Sequence, residues 1–247
     1  MFLTFNASGG ERNIGGIVSY ELGIYKKLPY PLTLALNALK EVRLKEVVLG
    51  KELYERPFNY EFYHRLKVLI ERKNNVQSAE NKELTVHGEA YKGYRGLYMY
   101  PDIIIHVPGT DVYNLLAIEV KIIRSYKRKV NEEERHYIPY SSICSRMVKD
   151  LLKLYELLED LNYAYGLLLI VWPDYLRIKW KKIVRELEGK DLIICNRDTR
   201  KTRLFVTLAC ITKGGTRPIN RNGIMPINER RLKNIKATTF FFINYQK

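Results

Sequence analysis

The sequence predicts an α/β domain, in which helices flank a central β-sheet. Three observations support this fold class. The segment Ser141–Leu161 repeats apolar residues at helical spacing. Tyr163–Trp172 is apolar on both strand faces, which is typical of a buried central strand. The stretch Tyr100–Ile123 contains two strand-like apolar runs, with a Pro108–Gly109 turn between them that favours a hairpin.

The other elements are predicted from periodicity and from the residues that start and stop helices and strands. The predicted order of the core is one helix, three strands, a second helix and a fourth strand. The charged segment Arg124–His136 is predicted to be a solvated, mobile loop because it lacks apolar periodicity. The predicted helices are Pro31–Val48, Asn59–Lys73 and Asp174–Glu188, and the predicted strands are Glu83–Tyr91, Leu192–Cys195, Leu204–Thr212 and Thr238–Tyr245.

With 247 residues, the chain is long enough for one large globular domain. Within it we distinguish an N-terminal extension with one helix (1–50), a core (51–213) and a basic C-terminal segment that ends in an edge strand (214–247). The C-terminal segment has two interpretations: an arm that contacts nucleic acid, or a surface loop followed by an edge strand.

Forty-two Lys and Arg against 27 Asp and Glu give a formal net charge of +15, which predicts a polyanionic partner, in a cell most commonly nucleic acid. The other interpretation is the charged surface common in thermophile proteins. The 46% hydrophobic content excludes a mainly disordered chain.

The longest apolar runs are too short to cross a bilayer, and the N-terminus lacks the layout of a signal peptide. We therefore expect an intracellular, cytoplasmic protein without a membrane partner. The three cysteines show no close pairing, which favours free thiols in a reducing compartment, and the four histidines show no zinc-site spacing.

The residues best suited to catalysis or metal binding lie in the Tyr100–Ile123 stretch. Glu119 and Lys121 project from the same face of a strand because side chains alternate, and pairing of the two runs brings Asp102 to the same edge. Two carboxylates and one amine then converge on an apolar strand surface.

Two further groups have open interpretations. Glu61 lies beside the apolar stripe of its helix, either as a solvated carboxylate or directed toward a cleft. Arg146, Lys149 and Lys153 form a basic stripe at helical spacing, which is either a solvated face or a phosphate-binding surface.

Pro101–Asp102 followed by Glu119–Val120–Lys121 resembles the PD-(D/E)xK motif of the restriction-endonuclease-like nuclease superfamily. The resemblance covers roughly Asn59 to Val171 and implies an αβββαβ core with a mixed central sheet flanked by helices, with N- and C-terminal additions. Glu61 is similar to the acidic residue on the first core helix of that superfamily.

The resemblance implies a metal-dependent DNA endonuclease of the junction-resolving, nicking or restriction-like kind. Asp102 and Glu119 would bind Mg²⁺, with Mn²⁺ as the alternative, and the Val120 carbonyl would be a third ligand. Lys121 would orient the attacking water or stabilise charge on the phosphate, and Glu61 would hold a metal-bound water or a second ion. The chain lacks the QxxxY element of the exonuclease branch.

Two other functions share the same charge arguments. One is a DNA-binding protein that uses a nuclease fold without catalysis, and the other is a nuclease that acts on RNA. A junction-resolving enzyme usually acts as a symmetric dimer, and the apolar run Thr238–Ile243 would supply the interface of such a homodimer.

Overall fold

The structure is a computed structural model that describes residues 28–49, 52–74, 84–88, 92–94, 97–99, 101–107, 114–130, 133–193, 202–219 and 223–244. It is a mixed α/β fold whose main feature is a seven-stranded mixed sheet with helices packed on both faces. This confirms the predicted α/β class.

The described helices are α1 (Tyr30–Glu41), α2 (Leu44–Val47), α3 (Glu55–Asn74), α4 (Tyr140–Asp160), α5 (Trp180–Glu188) and α6 (Glu229–Asn244). The described strands are β1 (Val48–Leu49), β2 (Glu52–Leu53), β3 (Thr85–Gly88), β4 (Lys92–Tyr94), β5 (Leu97–Met99), β6 (Ile103–His106), β7 (Asn114–Ile122), β8 (Tyr126–Val130), β9 (Glu133–Tyr137), β10 (Tyr165–Pro173), β11 (Leu204–Thr212), β12 (Gly215–Pro218) and β13 (Met225–Pro226).

The main sheet has the strand order β12-β11-β10-β7-β6-β3, and β13 also pairs with β11. The strands β3, β6 and β7 are antiparallel neighbours, whereas β7, β10 and β11 run parallel. The two parallel neighbours β7 and β10 are connected through α4, because a parallel pair needs a long crossover. Along the chain the elements α3, β3, β6, β7, α4 and β10 come in this order, with the two-stranded sheets β4–β5 and β8–β9 inserted before β6 and after β7.

Strand alternation divides the core into two layers. Ile118 and Val120 of β7 pack with α1 and α3, while Ala117 and Ile123 pack with α4 on the opposite face. Helices α5 and α6 also contribute buried residues to the α4 layer. The sheet is therefore covered on both faces, which explains why β10 is a continuous apolar run.

The predicted loop Arg124–His136 is wrong, because most of this segment forms the β8–β9 hairpin. Its register pairs Tyr126 with Tyr137 and Lys129 with Glu134. The hairpin is a separate two-stranded sheet outside the main one. Alternating apolar residues are needed only where one strand face is buried, so a charged sequence can form such a hairpin without that signal.

The predicted C-terminal edge strand is also wrong, because Thr238–Asn244 belongs to helix α6. β-Branched and aromatic residues predicted a strand, but the helix begins upstream, where the Arg231 N–H donates to Asn228 Oδ1 at 3.3 Å. Leu232 is buried in the α4 layer, and Ile235 packs against it at helical spacing. Packing of the first turns overrides a local strand preference. The run Thr238–Ile243, predicted as the interface of a homodimer, is therefore helical and does not form an edge strand.

Other boundaries shift less. The helix predicted over Pro31–Val48 is interrupted at Val42, whose backbone is extended, so that α1 and α2 are separate helices. The helix predicted from Asp174 starts at Trp180. Of the strand predicted over Leu192–Cys195, Ile193 forms an isolated bridge with Ile227, and residues 194–195 lie outside the described part.

Helix α1, from the predicted N-terminal extension, docks against the start of β12, from the predicted C-terminal segment. The Thr216 hydroxyl donates to the Val42 carbonyl at 2.7 Å in a buried hydrogen bond. Gly215, one residue earlier, has φ +136, and a Cβ there would lie 2.4 Å from the Lys40 carbonyl oxygen. Helix α1 and strand β12 are thus packed directly against each other.

We expect Gly215→Ala to destabilise the protein by about 2–3 kcal/mol, because the new Cβ meets backbone and the positive φ is unfavourable for alanine. Urea unfolding followed by circular dichroism measures this difference. Gly214→Ala is the matched control, since a Cβ there has only an ordinary contact of 3.9 Å with Thr212. Equal stability of the two variants would contradict the proposed close approach of α1 and β12.

Candidate active site

The candidate site is built around two carboxylates, Asp102 directly before β6 and Glu119 on the neighbouring strand β7. The register pairs Ile103 of β6 with Ile118 of β7, and one further step in this antiparallel register brings Asp102 opposite Glu119. Asp102 Oδ2 accepts a hydrogen bond from the Val120 N–H at 2.7 Å. The bond holds the Asp102 side chain across the end of β6, against the backbone of the strand that carries Glu119.

Glu119 is the most deeply buried charged residue of the site. Its side chain is 2% exposed, and it projects from the same face as Ala117, toward α4. Lys153 of α4 brings its Nζ to 2.5 Å from Glu119 Oε1. This contact is an ion pair. Glu119 is thus a carboxylate in an apolar layer, and Lys153 brings a compensating positive charge into direct contact with it.

The pKa of Glu119 is raised to about 7, first because of burial and second because of the neighbouring Asp102 carboxylate. Lys153 and Lys121 act in the opposite direction and lower this pKa. Burial also raises the pKa of Asp102, although its hydrogen bond from Val120 favours the ionised form. The two neighbouring carboxylates repel each other when both are ionised. Additional positive charge at this point would reduce that repulsion.

Lys121 follows Glu119 by two residues and lies on the same face of β7. Its Nζ is 3.5 Å from Glu55 Oε1 at the start of α3. Burial by itself lowers the pKa of Lys121, but the carboxylates of Asp150 and Glu55 outweigh this effect and hold the pKa above its usual value. Lys121 is therefore a charged amine with a fixed neighbour.

Asp150 is a further acid that the sequence analysis missed. It lies on α4 between Arg146 and Lys153, and its Oδ2 is buried without a hydrogen-bond partner among the described residues. Burial raises the pKa of Asp150, while Lys121 and Lys153 lower it. The available signal was an acid four residues after Arg146 and three before Lys153, in the middle of an otherwise basic stripe.

Glu55 was also missed, because the predicted helix began after Pro57, whereas α3 starts at Glu55 and contains the proline in its first turn. Proline is tolerated there, since the first backbone N–H groups have no partner within the helix. Glu55, the residue that approaches Lys121, therefore lies outside the helix predicted over Asn59–Lys73.

Glu61 lies elsewhere on the same helix. Its carboxylate accepts from Arg65 Nε at 2.6 Å, and Arg65 Nη2 also contacts Glu46 of α2 at 3.1 Å. With about 100° of rotation per residue, Glu61 and Tyr63 lie on opposite flanks of the buried Phe62. Tyr63 lines a cleft beside Asp102. The predicted role of Glu61 at the metal is thus not supported by its position, since it is directed toward α2.

The three residues of the predicted basic stripe, Arg146, Lys149 and Lys153, have different surroundings in the structure. Arg146 lines a small cavity of about 40 Å³ together with Lys121 and Glu55, whereas Lys149 is exposed. Lys153 is in the ion pair with Glu119. The structure therefore brings Arg146 and Lys153 to the site and leaves Lys149 on the open side of α4.

The donor atoms fit a hard divalent cation. Asp102 and Glu119 offer carboxylate oxygens. The N–H and the carbonyl of a strand residue face the same neighbouring strand. Because the Val120 N–H points toward β6, the Val120 carbonyl points to the β6 side as well. Among the described residues, no group of three or more His, Cys, Asp and Glu side chains is arranged to hold a metal ion. Mg²⁺ needs fewer, since it binds one or two carboxylates and retains waters.

We expect the buried Glu119 to make folding stability depend on pH in the absence of divalent metal. Because its pKa rises from 4.5 to about 7 on folding, its stabilising contribution is present below the unfolded pKa and is lost as the pH rises through the folded pKa. The full change amounts to about 3 kcal/mol.

Urea unfolding of wild type and of Glu119→Gln in EDTA, at about pH 5 and about pH 8, measures this contribution. The wild type should lose stability relative to the variant as the pH rises, because glutamine does not ionise. Parallel changes in the two proteins would contradict the raised pKa.

Comparison by sequence finds no matching protein-family model and no matching curated protein. None of the described helices combines the length and the apolar content that crossing a membrane requires.

Proposed function

We propose that the protein is a metal-dependent nuclease that hydrolyses phosphodiester bonds of DNA. The observation that carries this proposal is that Asp102, hydrogen-bonded to the Val120 N–H, lies beside Glu119 of β7, with Lys121 two residues further on the same strand face. A buried and a half-buried carboxylate beside a charged amine form the arrangement that cation-assisted phosphate chemistry needs. A purely structural pair would be costly to maintain, because burying charge destabilises the fold.

The order of α3, β3, β6, β7, α4 and β10 supports a restriction-endonuclease-like core, since it is the αβββαβ order that the PD-(D/E)xK resemblance implies. The motif residues lie at the expected points of that order, at the start of β6 and near the end of β7. This agreement between motif and topology is independent of the charge arguments.

Each residue of the proposed centre has a distinct task. A Mg²⁺ ion held by Asp102, Glu119 and the Val120 carbonyl would supply charge neutralisation and water activation. Lys121, kept protonated by its carboxylate neighbours, donates a hydrogen bond to the attacking water or to the charge that develops on the phosphate. Glu55 limits the movement of the Lys121 ammonium, so that the donor remains directed into the site.

The small cavity beside Lys121 supports the position of that water. Its volume of about 40 Å³ exceeds the space that one water molecule needs, and Lys121, Glu55 and Arg146 provide polar partners. Arg146 is exposed at the rim of this cavity, where its guanidinium can pair with a phosphate oxygen. The net charge of +15 favours approach of DNA in general.

Incubation of the protein with closed-circular and linear DNA in Mg²⁺ or Mn²⁺ tests the proposal. We expect nicking or linearisation of the circle and no cleavage in EDTA. Cleavage of a closed circle identifies an endonuclease, and competition with RNA distinguishes the two nucleic acids. Absence of cleavage with any divalent cation, in a protein that binds DNA, would overturn the proposal.

A non-catalytic DNA-binding protein is the second candidate, and the Lys153–Glu119 ion pair favours it. An internal ammonium that compensates Glu119 allows the site to persist without metal. Salt-sensitive DNA binding that is unchanged by EDTA and by Glu119→Gln would support this candidate. Sedimentation with and without DNA tests whether either form acts as a homodimer.

A further inference from the structure

A second cleft adjoins Asp102 on the side away from Lys153. It has a volume of about 490 Å³ and lies between helix α3 and the edge formed by β3 and β6. It is lined by Arg56, Asn59, Tyr60, Tyr63, His87, Gly88, Asp102 and Ile103. Of these residues, the proposed chemistry uses only Asp102, so the rest of the cleft has no assigned role.

The helix wall of this cleft is a regular stripe. Arg56, Asn59, Tyr60 and Tyr63 follow the spacing i, i+3, i+4, i+7, which puts them on one flank of α3. Tyr60 is 72% exposed, which is unusual for a large aromatic side chain. An exposed tyrosine beside an exposed arginine forms a surface suited to a flat, electron-rich ligand.

The opposite wall is kept open by a glycine. A Cβ at Gly88 would lie 3.6 Å from the Tyr63 ring and 3.9 Å from the Asp102 carbonyl oxygen. A larger side chain would therefore cover both the tyrosine face and the approach to Asp102. The exposed His87, next to Gly88 on β3, provides a polar rim.

These groups match the parts of a nucleotide. Tyrosine rings stack on bases without regard to sequence, Arg56 pairs with a phosphate or stacks, and the Asn59 amide can hydrogen-bond a base edge. A cleft of about 490 Å³ falls in the range of sites for compact ligands and is too small for a duplex. A base can enter it only when it is not paired and stacked inside a double helix.

We propose that this cleft binds an unpaired nucleotide of DNA next to the phosphate that a cation at Asp102 would hold, which defines the substrate class as single-stranded DNA or duplex DNA with unpaired bases. The location of the phosphate rests on the proposed nuclease function. Recognition of the base rests on the cleft alone.

Fluorescence anisotropy in EDTA with a short labelled single strand and the matching duplex tests the binding step. We expect Tyr60→Ala to weaken single-strand binding by about tenfold, because one base loses its stacking partner, while Tyr60→Phe keeps the affinity. Gly88→Leu should weaken it as well, by filling the cleft. Tyr175→Ala is the matched control, since Tyr175 is 53% exposed and lines a separate pocket with Leu44 and Val48.

The results separate the two proposals. Equal effects of Tyr60→Ala and Tyr175→Ala, or unchanged single-strand binding in Tyr60→Ala, would overturn the cleft assignment even if the protein cleaves DNA. Tyr60-dependent single-strand binding without cleavage in any divalent metal would support the cleft and overturn the nuclease. In a cleavage assay with Mg²⁺, faster cutting of a gapped or flapped duplex than of a fully paired one is expected, and equal rates would contradict the substrate class.

Discussion

Asp102→Asn is expected to reduce metal-dependent DNA cleavage by at least about 10³-fold while the protein remains folded. Asparagine has almost the same shape, and its side-chain oxygen can still accept the 2.7 Å hydrogen bond from the Val120 N–H. What it lacks is the negative charge that the proposed cation would need. Single-turnover cleavage measures the rate, and a thermal melt confirms that the variant is folded.

Two variants on helix α3 accompany Asp102→Asn, one as a matched control and one as a test of Lys121. Glu61→Gln should leave the rate within about threefold of wild type, because Glu61 pairs with Arg65 away from the site. Glu55→Gln should lower it by about tenfold, because Lys121 loses the carboxylate 3.5 Å from its Nζ. The opposite ranking, with Glu61 as the more sensitive position, would restore the role that the sequence motif implies for Glu61.

Elements with a long, regular pattern could be predicted from the sequence. Helix α4 differs from the predicted Ser141–Leu161 by one residue at each end, because its apolar face spans more than five turns. Strand β11 has the predicted bounds Leu204–Thr212. Where the environment rather than the pattern decides, as in the β8–β9 hairpin and in α6, local sequence predicted the wrong structure.

In the candidate site, too, some residues could be predicted from the sequence pattern and others could not. Asp102, Glu119 and Lys121 could be grouped from strand alternation, and the structure brings them to one edge of the sheet. The roles of Glu55 and Asp150 depend on how α3 and α4 are oriented against that edge, which is a tertiary property. Spacing along one helix cannot define which flank faces a strand that is distant in sequence.

The site concentrates acids inside a strongly basic protein. Asp102, Glu119 and Asp150 are all held with raised pKa values, mainly because they are buried. Their positive partners, Lys121 and Lys153, come from different elements, one on β7 and one on α4. Such a cluster destabilises the fold, and added positive charge would reduce the repulsion, so that binding of a cation would raise the stability.

Lys153→Met provides the second large test, because it removes the ammonium closest to Glu119 while it keeps the apolar stem. In EDTA at about pH 8 we expect a loss of about 2 kcal/mol, since a buried carboxylate is left without its main compensation. At about pH 5 the loss should be smaller, because Glu119 is then protonated. Urea unfolding at both pH values measures the effect.

Divalent metal should reverse the defect. In the wild type a cation must displace the Lys153 ammonium from its 2.5 Å contact with Glu119, whereas in the variant this competition is absent. Mg²⁺ or Mn²⁺ should therefore raise the melting temperature of Lys153→Met more than that of wild type. Lys149→Met, an exposed position on the same helix, is the matched control and should respond like wild type. An equal metal response of all three proteins would mean that the cation and Lys153 do not share Glu119.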